Sequence, residues 1–362
     1  MTHLTKLTIL ISLAGTLYGL PRFAVMEEVS CSSCHSFSGG GAARTSYGKD
    51  FIRETLVMKD MVLPWTSVES ERPFYLGFDT RYQFVSQEEK DLRHFPMQLA
   101  LYGGVEWGSL ILHAEVNRIL EEFRFTGGIR YEGLMLDSWV SISREVPALG
   151  WRMDDHTLFT RGGNLTLLGL ESEGMPYTPY LEAPTYLEIG SAPISGFEIS
   201  VMLGTAFVNS GAQIDGAGFQ QMKMTYHLSR NLFAGQTSIA YLKEAELSAS
   251  TASWGLSLGH LDYLGEFSQL SGWSANPLDK SAVVHQLSYR LFPGVDLIAR
   301  YEFYDPDRDL LTGAINRSSL GFEFFPLPGI EIKIAYRQSN LDLPESDPAP
   351  EGQYLGQIHF YL

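Results

Sequence analysis

The chain is poor in cysteine, in basic residues and in long apolar runs, and each shortage excludes a class of protein. Two cysteines among 362 residues cannot build a disulfide-rich scaffold. Only 26 Lys and Arg stand against 42 Asp and Glu, a formal charge of −16. Because phosphate contacts need clustered basic residues, we expect no nucleic-acid partner. With 44% hydrophobic residues, however, the chain is too apolar for a disordered protein.

The first 19 residues have the pattern of a secretory signal peptide. Lys6 provides a basic start, residues 7–17 are apolar, and small residues up to Gly19 precede a plausible cleavage site before Leu20. An uncleaved anchor is the alternative, but the run is shorter than the ~20 residues of a membrane-spanning helix. No later run reaches that length, which excludes a helical membrane protein. We therefore predict an exported chain.

From Phe74 onward the sequence alternates between apolar and polar residues. In residues 74–84 the even positions are apolar or aromatic, whereas Asp79, Arg81 and Gln83 occupy odd positions. A period of two predicts β-strands rather than helices. The same period recurs in three later segments, at residues 110–117, 295–303 and 330–337.

Several features favour a transmembrane barrel over a soluble all-β fold, which is the alternative. The polar faces of the segments carry Arg, Glu and Asp, which a wet lumen accepts and a dry sandwich core does not. Aromatic residues flank the segments, as they do at membrane interfaces. The chain ends in an apolar strand with Phe360 and Leu362 on one face, although a final Phe is more usual in such barrels. We predict an all-β fold, an outer-membrane barrel of about 16 strands over residues 74–362.

A C-x-x-C-H motif formed by Cys31, Cys34 and His35 lies near the predicted mature N-terminus. Two thiols at this spacing can form thioethers with both vinyl groups of one haem, and the adjacent imidazole can ligate the iron. A thioredoxin-like redox pair would need a βαβ context, and a zinc site would need two more ligands nearby. We therefore predict one covalent haem c within residues 20–73, with His35 as a ligand of the iron.

The second axial ligand of the iron is not set by the motif. Residues 47–61 are predicted to form a short helix that carries Met58, whose thioether would raise the reduction potential of the iron. The alternatives are that Met58 is an apolar packing residue, that a luminal histidine ligates the iron, or that the position is open. Residues 20–73 are too few to bury much apolar surface alone, so we expect them to pack against the barrel.

Other polar groups could bind a cation. Asp154, Asp155 and His156 lie between two strand patterns, and carboxylates beside an imidazole suit Fe²⁺ or Mn²⁺. A polar turn held by its own hydrogen bonds is the alternative. His113 and Glu115 are predicted to face the lumen and allow the same two interpretations. The acidic surplus could attract cations to the barrel mouth or could only keep the surface soluble.

Together these features resemble the fused outer-membrane cytochrome–porins of iron-oxidising bacteria. That family has a P-x-F-A stretch upstream of its first haem cysteine, which residues 21–24 match, and a T-P-F-G-R-x-F-like stretch downstream, which residues 45–51 match in part. The Arg-Gln-Thr-Gly of the family is replaced by Val-Met-Glu-Glu at residues 25–28, and the chain is short for the family. The specific resemblance covers residues 21–51, and only architecture is shared beyond them.

The resemblance implies an electron-transfer protein in the lipid of the outer membrane. One haem c would pass electrons between an extracellular donor, such as Fe²⁺, and a periplasmic c-type cytochrome. Whether the chain is itself an Fe²⁺-oxidising enzyme is left open. Two other hypotheses stay open as well: a haem-bearing conduit that exports electrons to extracellular acceptors, and a plain porin without haem.

Overall fold

The computed structural model of the chain describes residues 21–36, 44–52, 56–59, 73–87, 91–119, 122–147, 149–151, 158–161, 175, 183–205, 218–230, 233–272, 279–341 and 351–361. The predicted signal peptide lies outside these residues, and so do Asp154, Asp155, His156 and Leu362. Within the described ranges, none of the helices combines the length and apolar character required to cross a bilayer.

Sixteen antiparallel strands form one closed sheet, in which each strand pairs with its neighbours in sequence and β1 pairs with β16. The predicted 16-stranded barrel is confirmed, and its first strand begins at Phe74. The strands are β1 Phe74–Gln87, β2 Arg93–Trp107, β3 Leu110–Ile119, β4 Glu122–Leu134, β5 Ser138–Arg144, β6 Thr185–Ile194, β7 Phe197–Gly204, β8 Phe219–Arg230, β9 Phe233–Glu244, β10 Leu247–Leu258, β11 Leu261–Ser271, β12 Lys280–Phe292, β13 Val295–Asp305, β14 Ile315–Leu327, β15 Ile330–Leu341 and β16 Glu351–Tyr361.

The two faces of each strand differ, as the period of two predicts. Asp79 and Gln83 on β1 are buried and face the lumen, whereas Leu101 on β2 is 63% exposed on the outer face. The predicted luminal positions of His113 and Glu115 on β3 are also confirmed, because both side chains are buried. An apolar outer face around a polar interior is the arrangement of a barrel that lies in lipid.

The connections between strands differ in length at the two ends of the barrel. At the end where β1 begins and β16 ends, two or three residues join successive strands, as at Gly196 and Gly294, which both have a φ of 79°. At the opposite end most connections are longer, and the longest covers residues 145–184. Outer-membrane barrels place short turns in the periplasm and long loops outside the cell. The short-turn end is therefore the periplasmic end.

Within the described residues, three short helices precede the barrel. The helix predicted for residues 47–61 proves shorter, because residues 57–59 are not helical. At this point the amide of Met58 donates a hydrogen bond of 2.8 Å to the carbonyl of Phe325, so the backbone bonds to the barrel instead of continuing the helix. The helices are α1 Pro21–Glu27, α2 Cys31–Cys34 and α3 Ser46–Phe51.

The two faces give the first testable prediction. Leu101→Arg places a charge in the middle of β2 on the lipid face, and we expect it to cost ~2–4 kcal/mol of folding free energy in a bilayer. Leu311→Arg is the matched control, because Leu311 is 99% exposed in the β13–β14 connection outside the apolar band. Urea titration of both variants in lipid vesicles measures the difference. Equal stability of the two variants would contradict the assignment of the lipid face.

Candidate functional site

Arg22 fixes the N-terminal segment to the inner wall of the barrel. Its residue surface is 1% exposed, and its Nη2 lies 2.7 Å from both Asp296 Oδ2 and Glu323 Oε2, on β13 and β14. Burial lowers the pKa of the guanidinium, but the carboxylates of Glu323 and Asp296 more than offset this effect and hold the pKa above its ordinary value. Because a buried charge is stable only while its partners are present, α1 depends on both carboxylates.

Apolar contacts complete the attachment of α1 on two sides. Phe23 packs against Phe51 of α3, with ring centroids 6.2 Å apart, in a cluster that also contains Phe325 of β14. On the other side Val25 packs against the barrel wall, where a Cβ atom at Gly255 of β10 would overlap the Val25 side chain. The P-x-F-A stretch therefore combines an ionic anchor with two apolar contacts.

The stretch downstream of the C-x-x-C-H motif holds the motif in place. The Thr45 amide donates to the Cys34 carbonyl at 3.1 Å, and the Thr45 hydroxyl donates to the Ser33 carbonyl at 2.6 Å. The same hydroxyl accepts the Gly48 amide at 3.1 Å, which caps α3. A Cβ atom at Gly48 would overlap the Cys34 carbonyl oxygen, so a glycine is needed for this close approach.

The chain that follows the motif binds the wall near β1. His35 is extended and pairs with Arg44 in an isolated antiparallel bridge. Arg44 Nη2 lies 3.5 Å from Asp79 Oδ2, and the hydroxyls of Ser36 and Tyr75 are 2.5 Å apart. Since α1 is bound to β13 and β14, the motif is attached to the lumen wall on both of its flanks.

The environment of Cys34 bears on the interpretation of the motif. Both cysteines are free thiols in this structure. Burial is the main reason why the pKa of the Cys34 thiol is raised to about 12. Cys31 and Glu27 also raise this pKa, whereas the positive charge of Arg44 lowers it. Burial therefore keeps the Cys34 thiol protonated at neutral pH, whereas a reactive thiol has a lowered pKa.

A cavity of about 510 Å³ lies between the motif and the inner wall of β5–β9. Ser30 and Cys31 line one side of it. Part of this space is open to solvent, and its lining mixes apolar with charged groups, as ligand sites do. The opposite wall includes Trp139, Glu188, Glu198, Met202, Lys223 and His227.

The other predicted ligands are distributed over the barrel. Met58 is 48% exposed and lies against Gly294 in the periplasmic turn between β12 and β13. Glu115 accepts a hydrogen bond of 3.0 Å from Asn117. In the part of the chain that the structure describes, no group of three or more His, Cys, Asp or Glu could hold a metal ion. The roles of Met58, of His113 and Glu115, and of the acidic group outside the described residues stay predictions.

The long β5–β6 connection also enters the lumen, which the sequence signals only by a break in its alternation. The Trp151 amide donates to Glu266 Oε2 at 2.5 Å, and Arg161 Nη1 lies 3.2 Å from Glu266 Oε1. The Phe159 amide, in a short 3₁₀ turn, donates to Glu302 at 3.1 Å. Trp151 also packs in one cluster with Val25 of α1. The two inserted segments thus contact each other inside the barrel.

Ion pairing compensates much of the negative charge on the inner wall. Buried carboxylates with a cationic partner within 3.5 Å occur on five strands, so the charges of these six groups are neutralised locally and do not themselves attract cations. They are Asp79, Glu266, Asp296, Glu302, Glu323 and Glu331.

Comparison with known proteins identifies the fold. No protein-family model and no curated protein matches the sequence. The structure is similar to OprB of Pseudomonas putida, with a TM-score of 0.63 and 10% identity over 85% of this chain and 99% of that one. OmpT of Vibrio cholerae has a TM-score of 0.54 and 11% identity over 80% and 97% of the two chains. An anion-selective porin from Comamonas acidovorans has a TM-score of 0.52 and 10% identity over 81% and 100%.

Identities this low establish the fold alone. The chain has the porin fold of the bacterial outer membrane, and its lipid-facing surface agrees with that environment. The predictions of an outer-membrane barrel and of outer-membrane localisation are thereby confirmed.

The contact between Gly48 and Cys34 gives a second prediction. Gly48→Ala forces α3 away from the carbonyl of Cys34 and weakens the hydrogen bond from the Thr45 amide. Hydrogen exchange of the peptide covering residues 31–48 is expected to accelerate in this variant. Gly356→Ala on β16 is the control, because its Cβ would come no closer than 3.5 Å to a neighbouring atom. Unchanged exchange in the Gly48 variant would show that the motif is not held in this way.

The anchor at Glu266 gives a third prediction. Removing one partner of a buried ion pair costs about 3–5 kcal/mol, so Glu266→Gln is expected to release the β5–β6 connection from the wall. Single-channel conductance in planar bilayers should then increase relative to the parent protein. Glu132→Gln removes a half-exposed partner of Arg130 that lies outside this contact and should leave the conductance unchanged. A Glu266 variant with parental conductance would argue against a lumen narrowed by this connection.

Proposed function

We propose that the chain is an outer-membrane electron-transfer protein with one covalent haem c at the periplasmic mouth of its barrel. The observation that supports this proposal most strongly is the position of the C-x-x-C-H motif. The motif lies inside the lumen, is attached to the wall on both flanks, and borders a cavity lined by strands β5–β9. A motif placed on the outer surface or in a long loop would lack such a cavity.

The residues around the motif fit a haem. Cys31 borders the cavity, and Cys34, at the other end of α2, is buried. The two cysteines would hold the haem through thioethers, with His35 as an iron ligand. Trp139 supplies apolar surface, and Lys223 supplies a cation that suits a propionate. When bound, the haem supplies a one-electron redox centre whose potential depends on its ligands and its burial.

The location near the periplasm defines the two partners. The hydrocarbon core of a bilayer is about 30 Å thick, so one haem at the periplasmic mouth needs a soluble acceptor on the same side. A periplasmic c-type cytochrome is the partner that we propose. An extracellular donor has to approach through the lumen.

A second cavity of about 660 Å³ on the wall of β13–β16 offers space for that approach. Arg300, Lys333 and Arg337 line it together with a single carboxylate, that of Glu323. Export of electrons to extracellular acceptors would use the same haem and the same path through the lumen. A strongly negative midpoint potential in a redox titration would favour this direction of electron flow.

A plain porin without haem is the second candidate, and the fold shared with solved porins favours it. A porin conducts solutes through an open, water-filled lumen. Here α1 and the β5–β6 connection meet inside the lumen, at Val25 and Trp151, which narrows it. A plain porin would therefore have to conduct past two inserted segments.

Covalent haem is the property that separates these candidates. Outer-membrane fractions of cells that express the chain should show a haem-staining band that survives denaturation. Cys31→Ala and Cys34→Ala should each reduce or abolish it, because each removes one thioether. Ser33→Ala, between the two cysteines, should retain full staining. A parent protein that is colourless and conducts strongly in planar bilayers would overturn the proposal in favour of a plain porin.

A further inference from the structure

We propose that His227 is the second axial ligand of the haem iron, an inference that rests on the proposed haem. His227 lies on the luminal face of β8 and lines the same cavity as Cys31. Its side chain is 9% exposed. Neither ring nitrogen has a hydrogen-bond partner among the described residues, which is unusual for a buried imidazole.

The backbone around His227 is fixed next to the motif. The His227 amide donates a hydrogen bond of 2.6 Å to the carbonyl of Gly196, in the turn between β6 and β7. Two residues further along β8, the Ser229 hydroxyl donates to Glu28 Oε1 at 2.5 Å. Glu28 lies three residues before Cys31, so this bond ties the start of the motif to the strand end that carries His227.

Glu198 supplies a further feature of metal-binding histidines. An imidazole that ligates a metal usually interacts through its other nitrogen with a carboxylate or a carbonyl, which fixes its tautomer and ring orientation. Glu198 Oε1 lies 3.7 Å from His227 Nε2, on the neighbouring strand β7 and in the lining of the same cavity. The carboxylate can therefore orient the ring while the second nitrogen is directed at iron.

The rival ligands are less well placed. Both ring nitrogens of His359 lie beside wall carboxylates, Nδ1 at 2.7 Å from Glu331 and Nε2 at 3.0 Å from Asp79. Met58 packs against a periplasmic turn, and its amide is bonded to the rim of β14. His113 lies on β3 and is not part of the cavity lining. Within the described ranges, His227 is the histidine that shares a cavity with Cys31. Met202 lines the same cavity, but its side chain packs in a hydrophobic cluster with Tyr186 and Phe219.

The spin state of the ferric iron tests this assignment in the full-length protein in detergent. The parent protein should be low spin by electron paramagnetic resonance, without the optical band of a methionine–iron bond. His227→Ala should become largely high spin while its haem content, measured as the pyridine complex, stays the same. Added imidazole should restore the low-spin signal. His227→Met should remain low spin with a raised midpoint potential, since thioether ligation raises the potential.

Two further variants complete the experiment. His113→Ala removes a luminal histidine outside the cavity and should leave the spin state unchanged. Met58→Leu should also remain low spin. A low-spin His227→Ala protein, or a Met58→Leu protein that turns high spin, would overturn the assignment while the covalent haem itself persists. Absence of haem from the parent protein would instead overturn the proposed function.

Discussion

The ion pairs of Arg22 with Asp296 and Glu323 hold the N-terminal segment inside the barrel, and the proposed haem site depends on this attachment. A guanidinium that is 1% exposed is stable in the wall only because two carboxylates, each 2.7 Å away, compensate its charge. Those carboxylates lie on β13 and β14 near the periplasmic turns. The segment therefore docks where a soluble periplasmic partner can reach it, and it places the motif of Cys31 against the opposite wall.

Two inserted segments, α1 and the β5–β6 connection, shape the lumen as much as the strands do. The β5–β6 connection bonds to Glu266 and Glu302, and it meets α1 in an apolar contact between Trp151 and Val25. An open porin needs a continuous water-filled path, whereas a redox carrier needs a partly dry pocket around its cofactor. The porin fold and a haem function are compatible, because function depends on the site that is built on a fold.

Much of the fold could be predicted from the sequence, and less of the site. The alternation of Asp79 and Gln83 with apolar residues is a local property, so it indicated the strands, their lipid and luminal faces and the approximate strand number. The C-x-x-C-H motif is equally local. The proximity of His227 to the motif could not be predicted, because β8 and the motif are about 200 residues apart and meet only through barrel closure. The helix predicted for residues 47–61 was too long, since the bond from Met58 to the barrel is tertiary.

The position of a paramagnetic iron inside the barrel is the most direct measure of the central claim. Spin labels attached at Ser195→Cys, in a periplasmic turn beside the cavity wall, and at Leu311→Cys, at the extracellular end, allow the comparison. The account predicts strong relaxation enhancement by ferric haem at the periplasmic label and little at the extracellular one. Equal enhancement at both labels, or none at the periplasmic label, would contradict it.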